Sequence, residues 1–153
     1  MNLSKNQREK LININFIMHY KILSHTADLR LKVFGDDYEE LFVNAALGLA
    51  NILFEDYKKL IKRARGYKKI TVESENTGTL VVDFLNKILS ESNIEKKIFP
   101  RIKILRVSPK VVEAQLFGIS VDHFNEDVKA VSYHNVEVRE KEGKLEITLV
   151  LDI

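Results

Sequence analysis

Apolar residues recur along this chain with two different periods, and the switches between them mark out strands and helices. Leu29, Leu31 and Val33 alternate with Arg30 and Lys32, the two-residue period of a half-buried strand over residues 29–34. A shorter extended run at residues 20–23 precedes it, joined through Ser24-His25-Thr26-Ala27-Asp28. Asp28 has the parity of Arg30 and Lys32, which places it on the polar face or at the loop edge. Gly35 ends the strand, and Asp36 with Glu39 three residues later has the spacing of a helix capping box. Leu41, Phe42, Ala45, Ala46, Leu49, Ile52 and Leu53 then recur at helical spacing. A basic stretch covers residues 58–69 with Gly66 inside it, and Ile70-Thr71-Val72 reads as a short strand. Asn76 or Thr77 caps a second helix, whose buried stripe is Leu80, Val81, Phe84, Leu85, Ile88 and Leu89.

The remainder is rich in strands. Residues 102–107 and 111–117 flank Ser108-Pro109-Lys110 as a hairpin. Residues 131–139 and 145–151 flank Glu142-Gly143 as a second one. Between the hairpins, residues 120–127 form an irregular acidic loop. The predicted order is β-β-α-β-α-β-β-β-β, which fits an α+β fold, antiparallel β-sheets layered with two amphipathic helices in a single domain. That domain spans residues 18–153. Residues 1–17 mix charged, polar and apolar groups without a clear period and read as an extension or a mis-assigned start.

Composition narrows the function classes. The chain has 153 residues, a hydrophobic fraction of 45% and a charged fraction of 30%, enough for one well-filled core. Its 24 Lys and Arg against 22 Asp and Glu leave a net charge of +2, so any nucleic-acid surface must come from local clustering. The absence of cysteine excludes disulfides, thiolate zinc sites and a cysteine nucleophile, and fits a reducing, cytoplasmic setting. No run is apolar enough to cross a bilayer, and the first residues lack the pattern of a secretory signal.

The last strand carries the best candidate chemistry. Leu145, Ile147, Leu149, Leu151 and Ile153 share one face, and Glu146, Thr148, Val150 and Asp152 share the other. The sequence ends one residue after Asp152, which adds an α-carboxylate beside it. Two hard oxygen donors, with a third carboxylate from elsewhere, would suit Ca²⁺, Mg²⁺ or Mn²⁺. The plainer alternative is that Asp152 only solvates a strand end and Asp28 hydrogen-bonds its own turn. His25 beside it is by default a loop histidine. A triad drawn from Ser24 and His25 fails on geometry, since neighbours in an extended segment face opposite ways. There is neither a glycine-rich phosphate loop nor a zinc-ligand spacing. Lys129, at the entrance to the strand from residue 131, is placed to meet an acidic partner or a phosphate, or simply to discourage edge pairing. The cluster Lys58, Lys59, Lys62, Arg63, Arg65, Lys68 and Lys69 reads first as a solvated helix end or loop, with RNA contact the sharper alternative.

Several of these segments taken together resemble the archease family. They are His25-Thr26-Ala27-Asp28, Gly35 with the helix start Glu39-Glu40-Leu41-Phe42, Val82-Asp83-Phe84-Leu85-Asn86, Val128-Lys129-Ala130-Val131-Ser132-Tyr133-His134, and Val150-Leu151-Asp152-Ile153. The resemblance runs from about residue 20 to residue 153; Ser132 stands where the family usually has Thr. It implies an accessory protein, not an enzyme, that activates the GTP-dependent RNA-splicing ligase in tRNA splicing. Such a protein promotes guanylation of the ligase and its multiple turnover, and meets tRNA through the ligase. The family's metal-binding residues fall on Asp28, Asp152 and Ile153, with Ca²⁺ the expected cation of the isolated protein. The functional lysine falls on Lys129, with His25 inside the opening signature. Rival readings are a free-standing metal-dependent hydrolase with His25 as base, and a general chaperone or RNA-binding module using the basic cluster.

Overall fold

The computed structural model describes residues 19–24 and 28–153. The expectations for residues 1–17 and for His25 therefore lie outside the described residues. Two antiparallel sheets share one core with two long helices, the α+β arrangement expected. In the first sheet, β1 (Tyr20–Ser24) pairs with β2 (Asp28–Gly35), and β2 pairs with β8 (Lys144–Asp152). Two short strands, β6 (Ala130–Val131) and β7 (Arg139–Lys141), also pair with β8. The second sheet has the order β3-β5-β4, from β3 (Tyr67–Glu73), β5 (Val111–Ser120) and β4 (Lys97–Val107).

The first helix, α1 (Tyr38–Leu53), starts one residue later than the sequence spacing predicts. Asp37 is the cap, its carboxylate accepting from the Glu40 N–H at 2.8 Å, so Asp36 is left to pair with Lys144 at 3.6 Å. The second, α2 (Thr77–Glu95), is capped by Asn76, which accepts from the Thr79 N–H at 2.9 Å. Phe42 of α1 meets Phe84 of α2 edge-on at 5.3 Å, and both rings are fully buried. The helix α1 packs on β2 and on β4, while α2 reaches β3, β4, β5 and β6, so the helices join the sheets into one core.

Two segments differ from the periodic reading. Part of the basic stretch forms a 3₁₀ helix, Tyr57–Arg63, and the strand after it begins at Tyr67 rather than at Ile70. The expected strand over residues 131–139 is broken into β6 and β7. Its middle leaves the sheet because Val136 lies against Gly78 of α2. The tight turn at Glu142-Gly143 is as expected, with both residues at positive φ (54° and 76°), as a two-residue hairpin requires. The loop after β5 is pinned by Asn125, which receives the Glu55 N–H on its side chain at 2.6 Å and donates its own N–H to Leu53 at 2.8 Å.

Candidate metal centre

The strand β8 runs between β2 and β6, and its burial alternates as the sequence requires. Ile147, Leu149 and Leu151 face the core, while Thr148 and Asp152 are exposed. Antiparallel pairing then sets Asp28 of β2 directly opposite Asp152, and Asp152 opposite Ala130 of β6. Directly opposed residues project to the same sheet face, so the two carboxylates form one cross-strand pair, about 4.5–5.5 Å apart at Cβ in ordinary sheets. Like charges so placed repel.

A second anomaly falls on the same residue. Asp28 Oδ1 is buried without a hydrogen-bond partner among the described residues. An unsatisfied carboxylate oxygen costs more than a neutral one, and a bound cation is one way to compensate it. The donor set is chemically suited to a hard divalent cation: two carboxylates and the main-chain oxygen of Ile153 immediately beyond. Among the described residues no third acidic or histidine side chain joins them. Asp28 stands where the carboxylate from elsewhere was expected, directly opposite Asp152, and water or a partner would complete the coordination.

Lys129 is tied to the same strand end. Its N–H donates to the Asp152 carbonyl at 2.8 Å, while its side chain is exposed. The Ser132 N–H donates to Val150 at 2.8 Å, fixing the other end of the short strand. What holds this segment from its outer side is α2. The Asn86 side chain donates to the Val131 carbonyl at 3.0 Å and accepts the Val131 N–H at 2.8 Å, standing in for the next strand of the sheet. One turn earlier, Asp83 accepts hydrogen bonds from the hydroxyls of Tyr133 and Ser74. The Asp83 carboxylate, with some burial, pushes the Tyr133 phenol above its ordinary value.

Asp28, Asp152, Ile153 and Lys129 thus meet at one end of the first sheet, and His25 is outside the described residues. Asn86 and Asp83 carry structural roles that the hydrophobic pattern did not assign. The available signal was Asp83 and Asn86, three apart, which with Lys87 interrupt the apolar run from Leu80 to Leu89.

The sequence profile of the Archease protein family (MTH1598/TM1083) matches residues 20–153. A protein archease of Methanosarcina barkeri is 28% identical over 142 residues, covering 88% of this chain and 95% of the relative. One from Pyrococcus furiosus is 31% identical over 143 residues, covering 88% of this chain and 96% of the relative. The solution structure of Methanobacterium thermoautotrophicum protein 1598 aligns with a TM-score of 0.70 at 21% identity, over 90% of this chain and 100% of that one. This last likeness concerns the fold.

Proposed function

The chain belongs to the archease family, and from that premise we propose that it is an accessory protein activating a GTP-dependent RNA-splicing ligase in tRNA splicing. The proposal includes its finer parts: promotion of ligase guanylation, support of multiple turnover, a cytoplasmic setting, and a divalent-cation site at the end of β8. The ligase role follows from the family resemblance. The observation that supports the cation site is the pairing of Asp152 with Asp28, whose Oδ1 is buried and unpartnered among the described residues.

Asp28, Asp152 and the main-chain oxygen of Ile153 would hold the cation, Ca²⁺ in the isolated protein and Mg²⁺ or Mn²⁺ as alternatives. When bound, the cation supplies positive charge at an edge that otherwise presents two carboxylates. The chain's own contribution is placement. Strand pairing fixes both carboxylates on rigid backbone, and the hydrogen bond from Lys129 N–H to Asp152 fixes the lysine beside them. The exposed ammonium of Lys129 is then available to a phosphate or to a carboxylate of the ligase. Bond-making stays with the ligase.

The test is guanylation of the cognate ligase by GTP, with and without this protein, at limiting ligase. Faster guanylation and many ligations per enzyme are expected. Hydrolysis of phosphoesters by the purified protein alone, lost in Asp152→Ala, would instead make it a metal-dependent hydrolase.

A further inference from the structure

The three-stranded sheet β3-β5-β4 has one buried face and one open face. Ile70, Val112, Ala114 and Leu116 point into the core, so the alternate positions point away from it. Register partners line up across all three strands there. Tyr67 of β3 lies opposite Phe117 of β5, and Phe117 lies opposite Arg101 of β4. The next row is Lys69, Gln115 and Lys103. Beyond it, Thr71 pairs with Glu113, and Glu113 with Arg106.

The first row is a stacking surface. The Tyr67 side chain is 61% exposed, with its ring 5.8 Å from that of Phe117 and tilted by 56°. The Arg101 guanidinium lies over Phe117, 4.0 Å from the ring centroid, and donates to the Ala64 carbonyl at 3.2 Å. That carbonyl holds the guanidinium in place, so it presents a fixed, charged plane. The second row adds cations. Glu113 is taken up by Lys69 at 3.4 Å and Arg106 at 3.7 Å, whereas Lys103 is exposed with no carboxylate partner among the described residues. From the Arg101 end, a shallow depression of about 510 Å³ opens, lined by Lys62, Arg65 and Gly66.

An exposed tyrosine ring beside a planar guanidinium that caps the half-buried Phe117 on an open sheet face matches unpaired bases, which stack on such groups while their phosphates meet Lys and Arg. A duplex hides its bases and an acidic peptide has no rings to stack, so neither uses the aromatic row. We propose that the open face of β3-β5-β4, through Tyr67, Arg101 and Lys103, binds single-stranded RNA directly. The choice of RNA rests on the ligase-accessory reading; the site itself lies on a different sheet from Asp28 and Asp152.

The experiment is fluorescence anisotropy with a labelled single-stranded oligoribonucleotide, with duplex RNA and polyglutamate as competitors. Tyr67→Ala should weaken binding about tenfold, and Tyr67→Phe should retain it. Lys103→Gln should lower the slope of log affinity against log salt by about 0.7. Asp28→Ala should bind RNA like the parent, whatever its effect on ligation, which separates failure of this site from failure of the metal reading. Absence of binding by the parent, indifference to Tyr67→Ala, or competition by polyglutamate as strong as by single-stranded RNA would overturn the proposal. The last of these would make the face a docking surface for an acidic protein.

Discussion

Asp28 and Asp152 are direct cross-strand partners on β2 and β8, two carboxylates brought together by a register that the flanking core residues enforce. Leu29 with Leu151 and Leu31 with Leu149 are buried pairs in the same ladder, so a one-residue slip would turn an entire apolar set outward. The acidic pair is thus imposed by a core that cannot slide. Its repulsion and its unpartnered oxygen are a cost to the cation-free protein.

That cost gives a stability prediction with an unusual sign. In chelator, Asp28→Asn should melt at or above the temperature of the parent, because about 0.2–1 kcal/mol of like-charge repulsion is relieved. In Ca²⁺ at a hundredfold excess over Kd, the parent should gain about 2.7 kcal/mol. For a domain of this size that is a rise of roughly 5–10 °C. The variant should gain nothing. Differential scanning calorimetry with and without Ca²⁺ reads both effects.

Asn86→Ala should destabilise the fold by about 1–3 kcal/mol for each main-chain group it orphans. The Val131 N–H and carbonyl both lose their partner. Urea unfolding measures the loss. Backbone amide exchange in residues 128–133 should quicken more than in α1, because this clamp holds the edge segment and not the core.

Gly78→Ala tests the second anchor of that segment. A Cβ there would lie 2.6 Å from the Val136 carbonyl oxygen, a backbone atom with little room to retreat. A destabilisation of about 1–3 kcal/mol is expected in chemical denaturation.

The buried carboxylate of Glu91 sets a pH dependence. The hydrogen bond from Lys68 holds its carboxyl below the ordinary value, burial opposes this, and Lys87 adds to the lowering. A depressed carboxyl stabilises the fold above its unfolded-state pKa and loses that contribution as pH falls through the folded value. Glu91→Gln should therefore be less stable than the parent near neutrality, and the gap should close below the ordinary value of 4.5. Lys68, held above its ordinary 10.5 by its bonds to Glu91 and Glu95, acts oppositely. Its contribution fades only as pH rises through that raised value. Thermal melts of parent and variant from pH 3 to 8 decide the acid limb.

Much of this could be read before folding. The alternation from Leu145 to Asp152 gave the face of each side chain, and Asn76 gave a helix start, because both depend on neighbours a few residues away. The acidic pair was visible as two residues of suitable chemistry, and family signatures tied them together. What stayed hidden depends on distant register or packing. Arg101 meets Phe117 only because the β4-β5 hairpin shifts register between Ile104 and Arg106, and Tyr67 joins them from a strand far away in sequence. The strand predicted over residues 131–139 breaks after Val131 because its middle, at Val136, lies against Gly78 of α2. Asp37 displaced Asp36 as the cap by a single residue, a choice that spacing alone does not make.

The central claim is that the acidic strand end serves the ligase. Its most direct test is multiple-turnover ligation at limiting cognate ligase, supplemented with the parent, Asp28→Ala or Asp152→Ala, each confirmed folded by its melting curve. The expected result is sustained turnover with the parent and no more than ligase-alone turnover with either variant. Full stimulation by both folded variants would contradict it.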